Sequence, residues 1–188
     1  MTFWILIRST GISAYLLLSL SIFIGTLYSL REQIKPVFKI PDLRIIHIYL
    51  STMALGATFL HGGMLLFHRE KERLSLQEIL VPFTSRYDSF WIGIATIALY
   101  FMVLLAITGV MQRKFSIVTW RKIHAASYVA FVLALLHSIA VGTDTWNTWI
   151  VVLYATTGFL VGIVYLYRVV MLGRTRKSLA KPEPINHA

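Results

Sequence analysis

The sequence predicts an all-α integral membrane protein, a five-transmembrane-helix bundle with its N-terminus outside and its C-terminus in the cytoplasm. Three observations predict it. The 188 residues are 57% apolar or aromatic and only 14% charged, whereas soluble domains carry about 25% charged residues. Uncharged apolar runs of about 20 residues, enough to cross a bilayer, occur five times. The basic residues behind the net charge of +10 lie between those runs. That is a membrane pattern, not the one-faced basic patch of a nucleic-acid binder. Cysteine is absent, which excludes disulfides, zinc–thiolate sites, iron–sulfur clusters and thiol nucleophiles.

The first span is Gly11 to Leu30. It is too long for a signal-peptide core, and the following Ser29-Leu-Arg-Glu-Gln lacks a small-x-small cleavage pattern. Residues 1–10, with Arg8, either extend this helix or lie along the interface. Spans two to five run Ile45 to Phe67, Ser89 to Met111, Ile123 to Gly142 and Trp146 to Tyr167. Between spans two and three, Ser75-Leu-Gln-Glu78 has capping-box spacing and predicts a short surface helix over Leu76 to Val81, stopped by Pro82. The chain from Gly173 onward is basic and then proline-containing, and reads as a disordered or lipid-lying cytoplasmic tail.

Direction follows from the basic residues. The 31–44 connection (Arg31, Lys35, Lys39, Arg44), the 112–122 loop (Arg113, Lys114, Arg121, Lys122) and the chain after span five together hold thirteen. The opposite side holds five: Arg8, Arg69, Lys71, Arg73 and Arg86. The rule that cytoplasmic loops are the basic ones places the C-terminus inside. Trp146 and Trp149 at one end of span five, with Tyr165 and Tyr167 at the other, fit interfacial aromatic belts. The expected location is the cell membrane, crossed several times.

Four of the six histidines lie inside spans: His47 and His61 on span two, His124 and His137 on span four. Ionisable groups at membrane depth are costly unless partnered, so they mark function by default. The separations are fourteen and thirteen residues, a rise of about 20 Å in each case. Spans two and four run in the same direction, so His47 pairs in depth with His124 and His61 with His137. Two facing imidazoles fill both axial positions of a haem iron, and two such levels fit within a hydrocarbon core of about 30 Å. Fourteen helical steps return close to the starting face, but thirteen leave an offset of about 140°. Either span four is locally tightened or two porphyrins approach it from different sides.

A short repeat accompanies the pairs: Arg44-Ile-Ile-His47 parallels Arg121-Lys-Ile-His124. Arg44 and Arg121 stand one turn from their histidines, placed to pair with haem propionates. Gly56, Gly62 and Gly63 are where a flat macrocycle can approach the span-two backbone. His68 reads first as an exposed loop histidine, with lining of an acceptor site as the alternative. His187 carries no signal. Against the haem reading stand polar bridging between helices and a metal or proton transport path. The second is weakened because no Asp or Glu lies within any span.

The doubled histidine pattern, with Trp120-Arg-Lys-Ile-His124, Ala-Ala-Ser-Tyr128 and Leu-Leu-His137, resembles the ferric reductase-like transmembrane domain family. That family includes ferric reductases, the NADPH oxidase membrane domain and the haem membrane subunit of methionine sulfoxide reductase. The resemblance implies that residues 1–170 form a domain in which His47, His61, His124 and His137 ligate two b-type haems, with 171–188 as the tail. About 20 residues follow span five, and no phosphate-cradling glycine loop or flavin site is evident. Electrons are therefore expected from a separate flavin reductase or a quinol, and are expected to leave to an acceptor at the outer face. A quinol-linked subunit of an extracytoplasmic reductase is the alternative within this class. Membrane lipid is an expected partner; nucleic acid is not.

Overall fold

The computed structural model describes residues 2–34, 42–68 and 74–179. Helix α1 runs Thr2–Ser29 without a break, so the N-terminal residues extend span one. A short α2, Arg31–Ile34, follows; Lys35 and Lys39 lie outside the described residues. Helix α3, Leu43–Phe67, starts where Asp42 caps it, its carboxylate accepting from the backbone N–H of Arg44 at 3.1 Å and of Ile45 at 3.4 Å.

The predicted capping box is present. Ser75 and Glu78 bond reciprocally at the start of α4, Leu76–Leu80. The Glu78 carboxylate also accepts from Arg86 Nε at 3.0 Å and Arg86 N at 2.9 Å. The Arg86 guanidinium, with the Ser75 contacts behind it, holds the Glu78 carboxyl far below the usual carboxylate range. Helix α4 is the expected short surface helix, with Leu76, Gln77 and Leu80 exposed, and it is tied to the helix that follows it. Thr96 donates to the Ile79 carbonyl at 2.9 Å, and the Tyr100 hydroxyl bonds the Leu80 carbonyl, so this connection lies along the first turns of α5, Ser89–Val110.

The fourth span differs from its sequence boundary. A 3-10 turn, Gln112–Lys114, leads to α6, Ile117–His124, whose first turn is capped by Ser116 accepting from Thr119 N at 3.1 Å. Most of the expected 112–122 loop is thus helical, and Arg121 and Lys122 ride on α6. The apolar run begins only at Ile123, because long basic side chains on the last turn before the interface reach water from a helix already under way. Ala125 separates α6 from α7, Ala126–Val141. The last helix, α8, runs Thr148–Leu179. It continues through Gly173, where the sequence predicts a tail; no proline interrupts it before Pro182. Residues 180–188 lie outside the described part of the chain.

Five helical stretches are long and apolar enough to cross a membrane: Phe3–Ser29, Leu43–Phe67, Ser89–Val110, Ile117–Val141 and Thr148–Met171. No strand occurs among the described residues. Helix α3 packs along α1, and α7 along α5, while α1 also touches α7 and α8. The histidine-bearing α3 and α7 thus make their main contacts with α1 and α5 respectively. The core gathers Tyr15, Leu18 and Ile22 of α1, Ala54, Met102, Ala130, Phe131, Tyr154 and Val161. Ala54 lies seven residues from each of His47 and His61, so the packed centre sits between the two histidine levels. There Tyr15 meets Tyr154 edge-on at 5.1 Å and bonds Thr157 at 2.5 Å. Since the Thr157 hydroxyl proton goes to the Leu153 carbonyl, the tyrosine is the donor. Arg8 pairs with Asp144, tying the start of α1 to the turn before α8 at the His61 end.

Candidate functional site: two imidazole pairs

Of the four histidines, two are in ring contact and the other two stand within electrostatic range of each other. The rings of His47 and His124 have centres 6.0 Å apart and planes at 75°. His61 and His137 are close enough for their charges to interact. Among the described residues no group of three or more His, Asp or Glu side chains converges.

Three of the four rings are fixed through Nδ1. His47 Nδ1 donates to the Ser21 carbonyl at 2.8 Å, with the Ser21 hydroxyl 3.1 Å away. His61 Nδ1 donates to the Ile7 carbonyl at 2.9 Å, and His137 Nδ1 to the Trp91 carbonyl at 3.0 Å. A carbonyl only accepts, so each Nδ1 carries the proton and each Nε2 keeps its lone pair free for coordination. Donation of the remote N–H to a backbone carbonyl is how metal-bound histidines are ordinarily oriented. The fourth ring is held otherwise: His124 stacks on Trp120 at 4.6 Å and 20°. Its Nδ1 and the Trp120 Nε1 are both buried with no hydrogen-bond partner among the described residues.

Haem fits this donor set. Two imidazoles on opposite sides of one metal, each at a metal–nitrogen distance of about 2 Å, hold their ring centres about 6 Å apart, as His47 and His124 do. The interplanar angle is free in such a pair, since each ring turns about its own metal–nitrogen axis. The main packing of α3 is on α1 and that of α7 is on α5. Of the span-two glycines, Gly56 and Gly63 face open space and Gly62 meets only Ile79, at 3.7 Å from an added Cβ.

A local feature closes part of the azimuth offset. Immediately after His124, Tyr128 N bonds the Ala125 carbonyl at 3.2 Å, a three-residue step inside the span. Each residue wound at about 120° in place of 100° rotates the helix beyond it in the direction that closes the thirteen-residue offset. Span four is tightened at Ala125.

Arg44 and Arg121 are both exposed and form no ion pair among the described residues. A further cation, which the sequence did not single out, is Arg168 of α8, 5.9 Å from the Tyr128 ring centre and within charge range of His124. His68 is not the exposed loop residue expected. It is 4% exposed, against Trp4 at 5.2 Å and Phe3 at 6.2 Å, because the N-terminal extension of α1 folds over it. Also missed were the α1 carbonyls of Ile7 and Ser21. A backbone acceptor has no residue signature, though Gly11 and Gly25, each four residues further on, repeat the fourteen-residue spacing of His47 and His61.

Fold and site together define an all-helical protein with five membrane-length helices and two imidazole pairs set about 20 Å apart along them. The chain belongs to the family described as a domain of unknown function, DUF8596, whose profile matches residues 2–144. That segment contains all four paired histidines and the α1 residues that hold two of them. Neither a curated protein nor a solved structure matches the chain.

Proposed function

We propose that this protein carries electrons across a membrane through two b-type haems, one held by His47 and His124, the other by His61 and His137. The observation that carries the reading is the 6.0 Å separation of the His47 and His124 ring centres, the spacing that a single metal held between two imidazoles requires. The Nδ1 anchors on three rings support it, since each leaves Nε2 as the coordinating atom. The likeness to the ferric reductase-like domains, stated from the histidine spacing, points the same way.

Bound haem supplies one-electron chemistry at an iron whose axial positions both imidazoles fill, which suits electron carriage better than oxygen binding. The chain's own residues do the rest. Four imidazoles set the two levels in depth, the core around Tyr15 and Phe131 keeps water from the space between them, and Arg44, Arg121 and Arg168 stand ready for propionates at the His47 end. The basic connections place that end in the cytoplasm, where they attract an acidic flavin reductase or lie near a quinol at the interface. The acceptor meets the His61 end outside.

The test is haem content. Protein purified after expression with ample haem is expected to show a reducible b-type spectrum and two haems per chain, falling to one in His47→Ala and in His61→Ala. A colourless protein, or one whose haem content ignores all four histidines, overturns the proposal.

A further inference from the structure

We propose that α1 carries two copies of one imidazole cradle, Ile7 with Gly11 and Ser21 with Gly25, that fix the orientation and tautomer of His61 and His47. The inference rests on the haem reading above and assigns the residues that position its ligands. In an α-helix the carbonyl of residue i lies beneath residue i+4, and side chains lean toward the N-terminus. A side chain at i+4 therefore screens that carbonyl from a donor approaching from the flank. Glycine removes the screen.

Both anchors on α1 use this geometry. The Ile7 carbonyl takes the His61 Nδ1 proton, and a Cβ on Gly11 would stand 3.0 Å from His61 Cε1 and 3.1 Å from Nδ1. The Ser21 carbonyl takes the His47 Nδ1 proton, and a Cβ on Gly25 would stand 2.8 Å from His47 Nδ1 and 2.9 Å from Cε1. Beside alanine the His47 ring must shift, and the His61 ring must give way by a few tenths of an ångström. The cradles are fourteen residues apart on α1 and the rings fourteen apart on the antiparallel α3, so one register of the helix pair satisfies both. At the third anchor, the Trp91 carbonyl, the residue four further on is Ala95. The glycine requirement belongs to the close α1–α3 pair.

Gly11 and Gly25 are thus positioning residues, each for one level. The experiment compares Gly11→Ala and Gly25→Ala with Gly162→Ala, which adds a methyl where nothing lies within 4 Å. Haem per chain and the low-spin electron paramagnetic resonance signals are read, with signals assigned through His47→Ala and His61→Ala. Gly25→Ala is expected to shift or abolish the His47-level signal and spare the other, Gly11→Ala to do the reverse, and Gly162→Ala to leave both.

Unchanged signals in both α1 variants, or equal damage to both levels from either one, overturn the cradle. If a variant does not accumulate, electron–nuclear double resonance on the wild-type protein decides. Slowly exchanging Nδ1 protons on the axial rings are expected at both centres, and fast exchange throughout overturns the inference. A wild-type protein without haem overturns the function proposed above. A two-haem protein indifferent to both glycine changes overturns the cradle alone.

Discussion

The two imidazole pairs are built from the same parts and held differently. At the His61 level both rings give their Nδ1 protons to carbonyls, on α1 and on α5. At the His47 level one ring is so held, while His124 leans on Trp120 with its Nδ1 unbonded and Arg168 within charge range. A carbonyl acceptor on the remote nitrogen makes an imidazole a stronger electron donor and favours the oxidised metal. A nearby guanidinium favours the reduced one. Both differences act in one direction, so the His47 level is expected to have the more positive midpoint potential. Under the proposed function such an order would oppose transfer from the His47 level to the His61 level, leaving donor, acceptor and membrane potential to supply the driving force.

The largest effect tests what the levels share. Phe131 is 4% exposed and stacks on Tyr15 at 6.0 Å between the two pairs. Phe131→Ala is expected to cost on the order of 3 kcal/mol through the cavity it leaves, read as a lower thermal midpoint in detergent, and to loosen haem at both levels alike. Loss confined to one level would mean that the core serves that level only.

Next comes the charge. Arg168→Gln removes a cation near His124 and so destabilises the reduced state there. The His47-level midpoint is expected to fall by on the order of 50 mV, the size of one partly screened charge at this range, while the other level stays put. Equal shifts in a redox titration would remove the proposed asymmetry. A smaller effect follows for Ser21→Ala, which deletes the hydroxyl 3.1 Å from His47 Nδ1 but keeps the carbonyl. It is expected to move the same midpoint by far less than Gly25→Ala does.

These differences mark what could be read from sequence and what could not. The spans were legible because a bilayer demands long apolar runs, and the four histidines because imidazoles are costly at that depth. The asymmetry was hidden. Anchoring carbonyls belong to the backbone of whichever helix lies alongside, and nothing in His47 or His124 tells which ring will find one. The start of α6 at Ser116 was masked by Arg121 and Lys122, which end the apolar run without ending the helix. The burial of His68 has no local signal because it comes from Phe3 and Trp4, 65 and 64 residues away in the chain. One signal was available and unused: the equal fourteen-residue spacings of Gly11 with Gly25 and His47 with His61.

The smallest expected effect separates the two ends of the molecule by pH. Among the described residues, the His61 end carries a buried carboxylate clamp, Glu78 held by Arg86 and the Ser75 cap. The Glu78 carboxyl is depressed below its unfolded value, chiefly by the Arg86 hydrogen bond. Its contribution is therefore complete above the ordinary carboxylate range, about pH 4 to 5, and is lost as pH falls through that range toward the folded value. Hydrogen exchange, corrected for intrinsic rates, is expected to show 74–88 losing protection on acidification from neutral pH while 116–124 keeps its own. Glu78→Gln should give the loosened 74–88 segment already at neutral pH and abolish its acid response. A segment equally protected in that variant at both pH values would assign its order to the Thr96 and Tyr100 bonds with the α4 carbonyls instead.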